Sequence, residues 1–137
     1  MSYYTGRHAL VTGGGSGIGA AIAKVLKDKG AVVTILGRNA EKLAAKAAEL
    51  GVSQEVADVA DRDQVNVAFT AAAAVRGPID ILVNNAGCAE AMPFSKMEDE
   101  LWDRLLAVNL TGVYNCTKLV VSDMLERGNG RIVNVAS

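Results

Sequence analysis

Apolar runs of strand length alternate with stretches of helical period from one end of the chain to the other, and that alternation sets the fold class. Residues 8–12 (HALVT) predict a first strand. Residues 17–29 predict a helix whose apolar positions Ile18, Ala21, Ile22, Val25 and Leu26 recur at helical spacing until Gly30 stops it. A second strand follows over 32–36 (VVTIL), then a helix over 40–50 with Asn39 as N-cap and Gly51 at its end. Residues 54–58 read as a short third strand, 61–75 as an Ala-rich helix, and 79–83 as a fourth strand after the Gly77-Pro78 turn. Ser95 and Glu98 form a capping pattern ahead of a long helical stretch towards Arg127, and Asn129-Gly130 turns the chain into a fifth strand over 132–136.

Strands that are apolar on both faces, as IDILV nearly is, belong to a parallel sheet covered by helices on each side. The pattern therefore predicts one doubly wound α/β domain over residues 1–137. Right-handed crossovers with one reversal of winding give the strand order 3-2-1-4-5, with a ligand crevice outside the carboxyl ends of strands one and four. There is no internal repeat, linker or low-complexity tract. The last strand is apolar on both faces through Ile132, Val133, Val135 and Ala136, and nothing after Ser137 covers its outer edge. Such an edge invites association, so two expectations stand side by side: the natural polypeptide continues, or a partner chain supplies the missing strands.

The 14 Lys+Arg and 15 Asp+Glu leave a net charge of −1, which excludes a nucleic-acid binder acting through a basic surface and gives no reason for an anionic membrane partner. Half the residues are apolar and 21% are charged, the balance of a folded core, and with 4% aromatics that core is aliphatic. Cys88 and Cys116 are too few for a disulfide framework and lack metal-ligand spacing, so they read as reduced thiols of a cytoplasmic protein without a metal site. No apolar run reaches the ~18 residues of a membrane span, and residues 1–6 lack the apolar run of a signal peptide.

The first strand runs straight into Thr12-Gly13-Gly14-Gly15-Ser16-Gly17-Ile18-Gly19 and then into a helix. Gly13 allows a tight turn, Gly17 lets backbone approach a pyrophosphate, and Gly19 allows the helix to pack closely, while the helix N-terminus offers N–H groups to an anion. The bland alternative is a permissive turn; its position between strand and helix weighs against that. That no Lys-Ser/Thr follows the glycines argues against a P-loop. At the end of the second strand an acidic residue would bond the ribose 2′-hydroxyl of NAD, but the sequence there is Leu36-Gly37-Arg38-Asn39. With no carboxylate and a guanidinium in its place, the site suits a 2′-phosphate, so NADP(H) is favoured over NAD(H). The competing reading of Arg38 is a solvated surface residue at a helix start.

The glycine pattern, Asp58-Val59, Asn84-Asn85-Ala86-Gly87, Asn109 within VNLTG, and RIVNVAS together resemble the short-chain dehydrogenase/reductase family over essentially the whole chain. That resemblance implies a Rossmann-like fold whose C-terminal strands are absent from these 137 residues. It implies that Gly13, Gly17 and Gly19 form the dinucleotide turn, with Ser16 and the backbone around Ile18 near the phosphates. Asp58 and Val59 would meet the adenine; Asn85, Ala86 and Gly87 would line the adenosine side; Asn84 and Thr12 would lock strands one and four. Asn109 matches the family's catalytic asparagine, which holds a water in a proton relay. For that its carbonyl must leave the helical ladder, so a bulge or kink is expected there. Ser137 matches the catalytic serine that bonds the substrate oxygen. The plainer alternatives are an Asn satisfied by a neighbouring loop and a Ser capping a strand end.

Two departures matter. NADP-preferring members often carry a basic residue where this chain has Ser16, which leaves the cofactor reading resting on Arg38. The tyrosine and lysine acid/base pair that should follow the serine is also missing; Tyr114 and Lys118 have the spacing but lie in the long helix ahead of it. The reaction implied is reversible hydride transfer between a nicotinamide and a small-molecule ketone or secondary alcohol. An NAD-dependent dehydrogenase and a non-catalytic dinucleotide-binding module remain as alternatives, the latter having no need of both Asn109 and Ser137. The long helix near 98–127 is apolar nearly all round through Leu101, Leu105, Val108, Val113, Leu119, Val120 and Leu125. It is therefore expected in a homodimer or homotetramer interface, or else under a further C-terminal part.

Overall fold

A computed structural model describes residues 2–88 and 90–136. Five strands, β1 (His8–Thr12), β2 (Val32–Gly37), β3 (Ser53–Val56), β4 (Ile79–Asn84) and β5 (Arg131–Asn134), form one sheet in the order β3-β2-β1-β4-β5. Every neighbouring pair is parallel, with Leu10 facing Thr34 on one side and Leu82 on the other. The doubly wound α/β architecture and the strand order are those the apolar pattern predicts.

Alternation along the strands feeds two cores. Ala9, Val11, Val33, Ile35, Ile81 and Val83 pack against α1 (Gly17–Asp28) and α2 (Ala40–Leu50), while Leu10, Leu36 and Leu82 face α3 (Arg62–Arg76) and the later helices. That is why these strands carry no polar face. His8, the polar residue that opens β1, is 1% exposed. Its Nδ1 lies 2.8 Å from the Gly77 carbonyl oxygen, and its Nε2 lies 2.8 Å from Thr34 Oγ1. A carbonyl only accepts, so Nδ1 carries the proton and Nε2 accepts from the Thr34 hydroxyl.

Several boundaries and faces differ from expectation. The buried stripe of α1 is Gly19, Ala20, Ala23 and Leu26, whereas Ile18 and Val25 are exposed. Ser95 does not cap the long helix: it sits in a 3-10 turn (Phe94–Lys96), and Glu98 precedes the first helical residue without a side-chain cap bond. The third strand ends at Val56, which leaves Asp58 in the turn beyond it, and β5 begins at Arg131 and ends at Asn134.

The stretch expected as one helix comes in three pieces: α4 (Asp99–Leu106), a π-helical turn (Ala107–Thr111) and α5 (Gly112–Arg127). The π turn lies where the bulge at Asn109 is expected. Within it and just after, Val108 and Gly112 are buried; a Cβ on Gly112 would lie 2.7 Å from Val59, so the close helix–loop contact there requires glycine. All of β5 is exposed. Among the described residues no helix is long and apolar enough to cross a membrane.

Candidate functional site

Three chain segments converge at the carboxyl ends of β1, β2 and β4. The Thr12 hydroxyl accepts from the backbone N–H groups of Asn85 and Ala86, both at 2.9 Å, and reaches the Val83 carbonyl at 3.4 Å. Asn85 Nδ2 donates to the Gly13 carbonyl at 3.3 Å. One hydroxyl and one amide thus fix the glycine turn against the loop after β4. Asn84 does not share this task, contrary to expectation. Its Nδ2 donates to Thr117 Oγ1 (3.2 Å) and Asn134 Oδ1 (2.9 Å), which ties β4 to α5 and β5 instead of to β1.

Gly13 (φ +65°) and Gly17 (φ +55°) hold left-handed backbone that other residues rarely adopt. A Cβ on Gly19 would stand 2.1 Å from the Gly13 carbonyl oxygen and 2.5 Å from Asn85 Nδ2, so α1 can reach this turn only with glycine there. A side chain on Gly17 would meet no other part of the fold within 4 Å: its backbone faces open space. Ser16 precedes α1 in extended conformation and makes no side-chain cap bond. Ile18, next along, is 64% exposed at the rim.

Two small clefts share Gly13, Gly37 and Arg38. One, of about 200 Å³, adds Gly15, Ser16, Asn39 and Lys42. The other, of about 110 Å³, adds Asp58 and the apolar walls of Leu36, Val59, Ala86 and Val108, with Gly87 at its edge. Neither Arg38 nor Lys42 is in an ion pair among the described residues, and the Asn39 side chain is occupied in capping α2 through the Lys42 N–H at 3.0 Å. Asp58 is held differently. Burial raises its carboxyl, but hydrogen bonds from Arg104 and from the Ala60 N–H, with the charges of Arg104 and Arg38, outweigh that and keep it below the usual carboxylate range.

Asn109 stands apart from both clefts. Its Oδ1 accepts from the Cys88 N–H at 2.9 Å and its Nδ2 donates to the Cys88 carbonyl at 2.8 Å, so its side chain is satisfied by the loop after β4. What the π turn alters is its backbone, where the regular i to i−4 ladder is interrupted. Ser137 lies outside the described residues. Two cationic residues of this region escaped the sequence reading. Lys42 was findable, four positions after Arg38 and in the first turn of α2; Arg104 was not, because its partner is 46 residues away. A larger groove of about 420 Å³ between α3 and α5, lined by Phe69, Thr70 and Leu119, contains none of the candidate residues.

An open left-handed glycine, an uncapped helix start and two cations without ion partners together suit an elongated ligand bearing phosphates. Residues 7–137 match the family model described as short chain dehydrogenase. The chain is 46% identical over 139 aligned positions to nodulation protein G of Rhizobium sp. (strain N33), covering 100% of this chain and 57% of that one. It is 46% identical over 137 positions to D-threitol dehydrogenase of Mycolicibacterium smegmatis, covering 96% and 53%. Its structure matches that of actinorhodin polyketide ketoreductase with NADPH at a TM-score of 0.92 and 41% identity, over 96% of this chain and 53% of that one. The chain belongs to the short-chain dehydrogenase/reductase family. It spans about half the length of the curated relatives it matches.

Proposed function

We propose that residues 1–137 form the dinucleotide-binding, Rossmann-like portion of a longer cytoplasmic oxidoreductase that uses NADP(H) and interconverts a small-molecule ketone and secondary alcohol. The observation that carries the cofactor choice is the cleft where Ser16, Arg38, Asn39 and Lys42 meet without a carboxylate. A carboxylate there would repel a 2′-phosphate, and a guanidinium beside an ammonium attracts one. The solved relative described with NADPH supports the same reading.

In this proposal Gly13, Gly17 and Gly19, with Ser16 and the backbone at Ile18, receive the pyrophosphate. Asp58 and Val59 receive the adenine, with Asn85, Ala86 and Gly87 along the adenosine. The bound nicotinamide supplies or accepts the hydride. The Asn109 carbonyl, in the interrupted ladder of the π turn, holds a water of the proton relay, and the Ser137 hydroxyl donates to the substrate oxygen as negative charge grows on it. Proton transfer itself falls to a tyrosine and lysine for which residues 1–137 contain no match.

Titration of the full-length protein with NADPH and NADH tests the cofactor assignment. Arg38→Leu is expected to weaken NADPH binding roughly ten- to a hundredfold while NADH binding changes little. Equal or tighter NADH binding by the unaltered protein, indifferent to Arg38→Leu, overturns it.

A further inference from the structure

Arg104 projects from α4 to the far wall of the smaller cleft, where its Nη1 donates to Asp58 Oδ2 at 2.9 Å and its Nη2 to Asp58 Oδ1 at 3.3 Å. The pair is half-buried, with the Arg104 side chain 31% and the Asp58 side chain 23% exposed. Oδ1 also accepts from the Ala60 N–H at 3.0 Å, and the Asp58 backbone N–H is fixed by Gln64 Oε1 at 2.9 Å. An ionised carboxylate has about four acceptor positions. Oδ1 has both of its own filled, by Arg104 and Ala60, whereas Oδ2 is used once. The group is therefore held at both oxygens with one acceptor position left, on Oδ2, and Asp58 lines a cleft whose apolar walls are Leu36, Val59, Ala86 and Val108 and which Arg38 also lines. Apolar walls with a fixed carboxylate acceptor, beside the Arg38 cation, suit a flat heterocycle that carries an amine.

We infer that Arg104 is a positioning residue for base recognition: it fixes Asp58 so that the cleft selects a purine with an exocyclic amine over one with a carbonyl at the same place. This rests on the dinucleotide reading above. The cations that face Asp58 are Arg104, from α4, and Arg38, from the end of β2. Of these, Arg104 alone engages both carboxylate oxygens, and a planar fork fixes a carboxylate where a point charge does not. Without the fork only the Ala60 N–H holds the carboxylate, so its free acceptor position is no longer fixed towards an amine at one place on the base. Base selection then fails even where binding survives.

The test compares NADPH with its deaminated analogue, in which hypoxanthine replaces adenine, by fluorescence titration of the full-length protein and of Arg104→Leu and Arg104→Lys. The unaltered protein is expected to bind NADPH at least about tenfold more tightly than the analogue. In Arg104→Leu that ratio falls towards one, chiefly through weaker NADPH binding, and Arg104→Lys restores part of it. A ratio retained in Arg104→Leu overturns the inference even if both affinities drop together, since that outcome marks a packing role. If Arg104→Leu does not fold, Arg104→Lys decides, and an unchanged ratio there overturns it. An unaltered protein that binds both dinucleotides equally refutes base selection but leaves the cofactor reading standing; one that binds neither refutes both.

Discussion

His8 is sealed between β1, β2 and the turn before β4, with both ring nitrogens engaged. Burial lowers its pKa from the usual 6.5, and the nearby Arg76 charge adds to that, while the Gly77 carbonyl and the Asp80 carboxylate act in the opposite direction without reversing it. The folded state therefore favours the neutral ring, and the unfolded chain binds the proton more readily. Stability from this residue is complete above the unfolded value of 6.5 and is lost as pH falls from there through the lower folded value. Urea unfolding between about pH 7.5 and 5.5 should show a decline of at most about 1.4 kcal/mol per pH unit, and His8→Gln should flatten it. A slope that survives in His8→Gln assigns the proton to another group. None of this was legible in HALVT, which marks a strand but not what meets it from 26 and 69 residues away. The glycines were legible because their reason is local: Gly19 follows Gly13 by less than two turns of chain, and its missing Cβ is felt at Gly13 itself.

Elements were readable to the extent that one period ran through them. A helical period of 3.6 does not register one extra residue in a turn, so 98–127 reads as continuous although the π turn divides it. Family resemblance located the bulge where periodicity could not. The reciprocal bonds between Asn109 and Cys88 join that turn to the loop after β4, so the two should move together. Removing the side chain in Asn109→Ala is expected to speed amide hydrogen exchange at Cys88 by about tenfold or more while the central amides of β1 keep their protection. Unchanged exchange at Cys88 would show that the pair does not hold the loop in solution. Asn84 shows the opposite limit. Its motif marked it as a strand lock, yet which strands it joins depends on Thr117 and Asn134, 33 and 50 residues on.

At the scale of the molecule, exposed apolar residues form a row along α4, the π turn and α5. Trp102, Leu106, Leu110 and Tyr114 recur every fourth position, all at least two-fifths exposed. Of the stripe expected from sequence, Leu119 and Leu125 are exposed, but Leu101, Leu105 and Val113 are half-buried and Val108 and Val120 buried, so on α4 and the π turn the free face lies one position further round. We expect it to be a homodimer or homotetramer interface. Light scattering of the full-length protein at about micromolar concentration should report an oligomer, and Leu106→Glu with Leu110→Glu should shift it towards monomer. A monomeric unaltered protein removes the interface from the picture. The strand order has a consequence of another kind, for the growing chain on the ribosome. His8, Ala9, Leu10 and Val11 of β1 lie between β2 and β4, and His8 pairs with Ile79, 71 positions later. At a synthesis rate of about 5–20 residues per second, that separation is roughly 4–14 seconds during which one edge of β1 is finished and has no neighbour. A nascent β1–β2–β3 sheet thus waits with Ala9, Leu10 and Val11 along an open edge, and that interval is when a chaperone, or the same strand of another nascent chain, can take the place of β4.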